Sequence, residues 1–289
     1  MTDHDKVPRY VPPTPRSRRL GRELRVLRDA RGMRAEDAAH QLNCSQSRLS
    51  RIESGEIRVR VGDLMGMLTL YGVPLTDERA KQMLEVARQV REPGWWQRLG
   101  RLSQKYLTYI AFESEAAELR NFEPSLVPGL LQTEAYARAV IGVGRETESE
   151  AIDQSVNARM RRQEVLTRAD RPLRLVIILS EAVLLCKVGG EDVLRDQLQH
   201  LIEMSRRPNV TLQVLTFDAG AHLADSGGFA ILSFGATDPD LGYVETPAGE
   251  LFLEAEREIG RLREVFDHLR TLALSPAEST RLIRERAAV

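Results

Sequence analysis

Apolar residues recur at helical spacing through the first ninety positions. Leu20, Leu24, Leu27 and Ala30 predict a helix from about Arg18 to Gly32. Ala38, Ala39 and Leu42 predict a short second helix over 35–42, followed by Asn43 as a turn residue. Ser45 is a good N-cap for a third helix that runs to Ser54 and ends at Gly55. A fourth helix covers about 62–71, and a fifth runs from about Asp77 to Val90 before Pro93-Gly94 breaks the pattern. Ahead of these lies a stretch over 1–17 with Pro8, Pro12, Pro13 and Pro15, which reads as a flexible, extended arm.

After Trp95-Trp96 the pattern changes. Helices are expected at about 96–112, 114–120, 133–141 and 149–168, then a first strand at Leu173–Ile178. A short helix near 181–187, Gly189-Gly190 and an amphipathic helix at 192–205 follow, with Leu194, Leu198, Leu201 and Ile202 on one face. Strands then dominate. Val210, Leu212 and Val214 alternate with polar residues, and Phe229–Phe234 forms a second run. Leu241–Glu245 and Leu251–Glu254 flank a hairpin turn at 246–249. Two helices close the chain, the last opened by a capping box with Ser275, Pro276 and Glu278. The organisation expected is an arm over 1–17, an all-α unit over 18–76, a linking helix over 77–94, and a larger α+β domain over 95–289 with a mostly antiparallel sheet.

Charge sharpens this division. Over 1–76 there are 14 lysines and arginines against 9 aspartates and glutamates, a net of +5, whereas the rest of the chain sums to −6. A basic head on an acidic body points to a polyanion-binding module attached to something else. Two cysteines, Cys44 and Cys186, exclude a disulfide scaffold and a cysteine-rich zinc site. No apolar run is long enough to span a bilayer and no signal peptide is visible, so the expectation is a cytoplasmic protein without a membrane partner.

The most informative segment is Met33–Gly55, M-R-A-E-D-A-A-H-Q-L-N-C-S-Q-S-R-L-S-R-I-E-S-G. Asn43-Cys44-Ser45 is too short a joint to do anything but hold two helices at a steep angle, and Ala39 is small where they cross. At 100° per residue, Leu49 and Ile52 point inward while Ser47, Ser50, Arg51 and Ser54 face outward, with Gln46 and Arg48 on the flanks. Short hydroxyls, an amide and arginines are the groups that reach phosphates and base edges in a major groove.

Over Leu20–Val73 the sequence resembles the Xre/lambdoid-repressor family of helix-turn-helix proteins, with Ser45, Ser47, Leu49, Ser50, Arg51, Ile52, Glu53 and Gly55 matching. The resemblance implies that Gln46, Ser47 and Arg51 fall on base-contacting positions, and that Arg28 and Glu53 form an ion pair between the first and third helices. One departure is Ala35, where the family often carries a phosphate-binding Gln; Arg34 beside it is the candidate replacement. From about 95 to 285 the chain resembles the C-terminal domain of actinobacterial, antitoxin-like Scr-type regulators. The residues that carry it include Trp95-Trp96, Val127-Pro128-Gly129-Leu130-Leu131-Gln132-Thr133, Arg159-Met160-Arg161-Arg162-Gln163, Glu181-Ala182 and Gln197-Leu198. That resemblance implies a regulator whose gene lies beside one for a small acidic protein partner, some such pairs behaving as toxin–antitoxin systems.

Catalytic signatures are thin. Ala224-Asp225-Ser226-Gly227-Gly228 looks like a protease nucleophile segment, but the helical first half leaves no room for the two barrels that chemistry needs, so it reads as a loop before a strand. The histidines show no metal spacing, and there is no phosphate-cradling Gly-rich loop followed by Lys. Glu115, Arg159, Arg162 and His222 are candidates for an effector or partner site, with structural ion pairs an equal alternative for the first three. The expectation is a sequence-specific DNA-binding regulator without catalytic residues, metal or cofactor. It acts as a homodimer on double-stranded, palindromic DNA, and its C-terminal domain binds a small protein. Effector sensing and a DNA-tethered hydrolase are the alternatives.

Overall fold

A computed structural model describes residues 14–89, 102–143, 149–225, 227–235 and 238–288. Most of the expected arm, the Pro93-Gly94 break and Trp95-Trp96 lie outside the described residues. The chain divides into two compact units, Met1–Glu115 and Ala116–Val289.

The first unit is helical: α1 (Pro15–Ala30), α2 (Ala35–Gln41), α3 (Gln46–Glu53), α4 (Val61–Leu70), α5 (Glu78–Gln89) and α6 (Gln104–Glu115). The first helix starts at Pro15 rather than Arg18, because Thr14 and Ser17 form a reciprocal capping box with Pro15 at the first helical position. Leu24, Leu49, Leu64 and Leu68 are fully buried at its centre. Helix α5 adds Ala80, Met83, Leu84 and Ala87 to the same core, so the segment expected to be a linking helix is one wall of the bundle over its described length. In α6 every residue from Leu107 to Glu113 is buried, and Arg18 of α1 lies 4.7 Å from the centre of the Phe112 ring.

The second unit is α+β. Its strands are β1 (Glu118–Glu123), β2 (Arg174–Ser180), β3 (Val210–Leu215), β4 (Phe229–Ser233), β5 (Leu241–Thr246) and β6 (Gly249–Leu253). They form one sheet in the order β3-β2-β1-β4-β5-β6. The β1–β2 and β2–β3 pairs are parallel and the other three are antiparallel, giving a mixed, mostly antiparallel sheet. The crossovers run through α7 (Glu134–Gly142) and α8 (Ser149–Arg162), then through α9 (Glu191–Met204), while α10 (Glu256–Leu272) and α11 (Pro276–Ala287) end the chain. Helix α10 lays Val265, Phe266 and Leu269 against one sheet face at Phe122, Ile178, Phe229 and Ile231. The outer edge of β3 is closed: Val214 donates its N–H to Ser279 Oγ at 2.8 Å and accepts from Leu274 N at 2.9 Å.

The central strand β1 replaces part of the helix expected over 114–120. Glu118-Leu-Arg-Asn-Phe-Glu123 carries three charges in six residues, which hides its alternation. Pairing on both sides with β2 and β4 overrides its weak local preference. The charges find partners: Glu118 binds Arg120 at 2.8 Å and Arg174 at 2.9 Å. The short helix near 181–187 is a single 3-10 turn over Glu181–Leu184, and α8 passes into another over Gln163–Leu166.

Glu123 ends β1 opposite Leu179 of β2. Burial pushes its carboxyl up to about 7, Glu245 pushes it further the same way, and the hydrogen bond from Asn121 opposes them. The protonated acid is therefore favoured in the folded state. Its stabilising effect is complete below the ordinary carboxylate range and is lost as pH rises from about 4.5 to about 7. The Glu123→Gln variant should gain stability relative to the parent across that window, by roughly 3 kcal/mol at its upper end. Urea unfolding at a series of pH values checks this; a difference that stays flat with pH contradicts it.

Candidate nucleic-acid interface

Helices α2 and α3 meet through a joint whose geometry follows from its residues. Asn43 takes a left-handed conformation, φ 50°, which Asn tolerates better than most side chains. Cys44 then returns its N–H to Ala39 O at 3.0 Å. Ser45 caps α3, its hydroxyl accepting from Arg48 N at 3.1 Å.

The seat of α3 is built from α1. Gly21 lies so close that a Cβ there would meet Glu53 O at 2.6 Å and collide with Ile52 O. Gly55, at φ +74°, ends α3 against α1, where a Cβ would sit 2.5 Å from Arg18 Cα. Ser17 donates its hydroxyl to Gly55 O at 3.1 Å. Deeper in, Arg28 grips Glu53 with two parallel bonds, Nε to Oε1 at 2.7 Å and Nη2 to Oε2 at 3.0 Å. Its remaining arm donates to Met33 O at 2.7 Å. Both side chains are only 7% exposed, so the pair lies inside the unit. The hydrogen bond to Glu53 holds the Arg28 guanidinium above its ordinary range, against the opposing effect of burial.

With Leu49, Ile52 and Glu53 held inward, Gln46, Ser47, Arg48, Ser50, Arg51 and Ser54 are all exposed. Arg51 is 3.5 Å from Glu56, and Arg48 binds Asp63 of α4 at 2.6 Å. Arg34 stands at the N-cap of α2, exposed and 3.5 Å from Asp37. The candidates on α3 therefore lie on its exposed side, with Asp63 and Glu56 as acidic neighbours that the helical pattern of α3 alone gave no reason to include, while Arg34 is exposed at the start of α2. This is the arrangement of a helix-turn-helix domain, the module of DNA-binding regulators.

The candidates outside this surface do not form one constellation. Glu115 ends α6 in the first unit, 3.6 Å from Arg16. Arg159 and Arg162 of α8 both lie against Gly129, and Arg159 donates to Gln132 Oε1 at 2.8 Å. His222 packs edge-on to Phe122 and accepts the Ala224 N–H through Nδ1 at 3.2 Å. Around Arg159 three glutamines hold the loop 127–133. Gln132 donates to Val127 O at 2.6 Å, Gln163 to Gln132 O at 2.7 Å, and Gln197 to Leu131 O at 2.7 Å while accepting from Thr133 N. Such a buried loop needs partners for its backbone, and these amides supply them. Among the described residues no group of three His, Cys, Asp or Glu side chains is placed to hold a metal, and no helix is long and apolar enough to cross a membrane.

Two families match the chain, the second beginning within α6. Residues 19–82 match a family described as a helix-turn-helix domain, and residues 106–285 match one described as a domain of unknown function, DUF5753. The second match covers more than half of the chain, and the chain belongs to that family. Comparison with curated proteins and with solved structures found no match.

The buried pair sets the interface. Arg28→Met strands the Glu53 carboxylate and should cost about 3–5 kcal/mol of stability in the first unit. Replacing both partners, as in Arg28→Met with Glu53→Leu, should recover much of that loss. Denaturant unfolding followed by circular dichroism reads both; a single variant that costs no more than a surface change contradicts the assignment.

Proposed function

We infer that the protein is a sequence-specific, DNA-binding transcriptional regulator of Xre type, with α3 as the helix that enters the major groove. The observation that supports this best is the outer face of α3: an amide, hydroxyls and arginines on a helix whose inner face is locked to α1. The net charge of +5 over 1–76 supplies attraction to phosphate. One recognition helix reads only a few base pairs, so the protein acts as a homodimer on a palindromic site. It works in the cytoplasm as a binding protein rather than an enzyme, and needs no cofactor.

The acidic C-terminal domain binds a small protein encoded by a neighbouring gene, in the manner of the antitoxin-like, actinobacterial regulators it resembles. Support comes from Leu185, Phe217 and Leu223, large apolar side chains exposed on the loops that follow β2 and β3. The bond from Phe217 N to Glu181 Oε2, 3.1 Å, brings the start of these two loops together.

Gln46→Ala and Arg51→Ala should each lower the preference for a selected duplex over random DNA by about 1–3 kcal/mol, because a base contact is lost. Arg34→Ala should weaken binding to both alike, and all binding should weaken with salt. Titrations of the full chain in a salt series measure this; equal binding to every sequence contradicts the regulator reading. Co-purification of the full chain with its neighbour's product tests the partner, and an absent complex contradicts it.

A further inference from the structure

We propose that Asp63 determines specificity by tethering Arg48, an inference that rests on the DNA-binding reading above. Arg48 is the third residue of α3 and Asp63 the third of α4. Their Nη2 and Oδ2 atoms lie 2.6 Å apart, with side chains 44% and 42% exposed. The pair thus sits at the rim of the surface that α3 presents, open to a duplex rather than enclosed in the core. A carboxylate suits the first turn of a helix, which accounts for a charge at position 63 but not for its bond to the recognition helix. Close to a phosphate backbone that charge is repulsive unless a cation covers it.

Two effects follow. On random DNA, where binding is phosphate attraction, the tether withdraws one arginine from the cations that hold the duplex. On a matched site the base contacts of α3 fix the docking, and the tether presets the guanidinium plane, leaving its remaining N–H groups to donate to a base edge or phosphate. Asp63 therefore lowers unselective binding and orders a selective contact. The Arg51–Glu56 pair, 3.5 Å apart with both side chains more than half exposed, lacks the close contact that such a tether needs.

The test uses the full-length protein, random duplex DNA, and the duplex it prefers after selection from a randomised pool. Asp63→Asn should raise affinity for random DNA about three- to tenfold at low salt and steepen its log–log salt dependence by about 0.9, one added phosphate contact. Affinity for the selected duplex should change less, so the preference falls. Asp63→Glu should retain most of the preference. In an Arg48→Ala background Asp63→Asn should leave the preference unchanged, because no tether remains to break. The proposal is overturned if Asp63→Asn keeps the full preference, if it lowers the preference equally without Arg48, or if it abolishes folding, since a tether of exposed side chains is not part of the core. If the unaltered protein selects no duplex at all, the DNA-binding reading fails first and carries this inference with it.

Discussion

Arg28 and Glu53 stand 25 positions apart and are joined by two charge-assisted hydrogen bonds inside the first unit. Removing either charge from water is costly, and an ill-fitting pair would not offset that cost. Here the planar guanidinium meets the carboxylate in parallel and its third arm binds Met33 O, so the cation's polar edges are occupied. The geometry is satisfied only when α3 holds one rotation about its axis. That rotation puts Leu49 and Ile52 in the core and the polar residues outside. The glycines at 21 and 55 belong to the same constraint, because α1 could not come close enough for the pair to form if either carried a side chain.

The second unit meets a similar demand with neutral groups. Its loop 127–133 is pinned by Gln132, Gln163 and Gln197, and the β3 edge is closed by Ser279 and Leu274. Residues that carried the resemblance over this half, such as Gln132, Gln163 and Gln197, thus account for the loop's backbone hydrogen bonds. The exposed apolar side chains at Leu185, Phe217 and Leu223 lie instead on the loops that follow two parallel strands.

Much of this was legible in the sequence where local signals and packing agree. The five short helices of the head, the cap at Ser45, the hairpin turn at 246–249 and the final capping box follow from spacing and turn chemistry alone. Strand β1 was not legible, since its six residues hold three charges and it owes its shape to neighbours more than fifty positions away. The start of α1 was written in Thr14-Pro15-Arg16-Ser17, but four prolines nearby suggested an arm. The parallel half of the sheet depends on crossovers that no local pattern encodes. At the interface, the outward residues of α3 could be read from its period. The Arg48–Asp63 contact could not, because it joins two helices across a loop.

The proposed entry of the outer face of α3 into a major groove would bring it to guanine N7, which that groove displays to a bound protein. Dimethyl sulfate methylation of guanine N7, carried out on the selected duplex with and without the full-length protein, tests it most directly. Protection of N7 is expected at a small set of guanines within the site, lost when Arg51 is replaced by Ala. Full reactivity at every guanine while the protein is bound would contradict it.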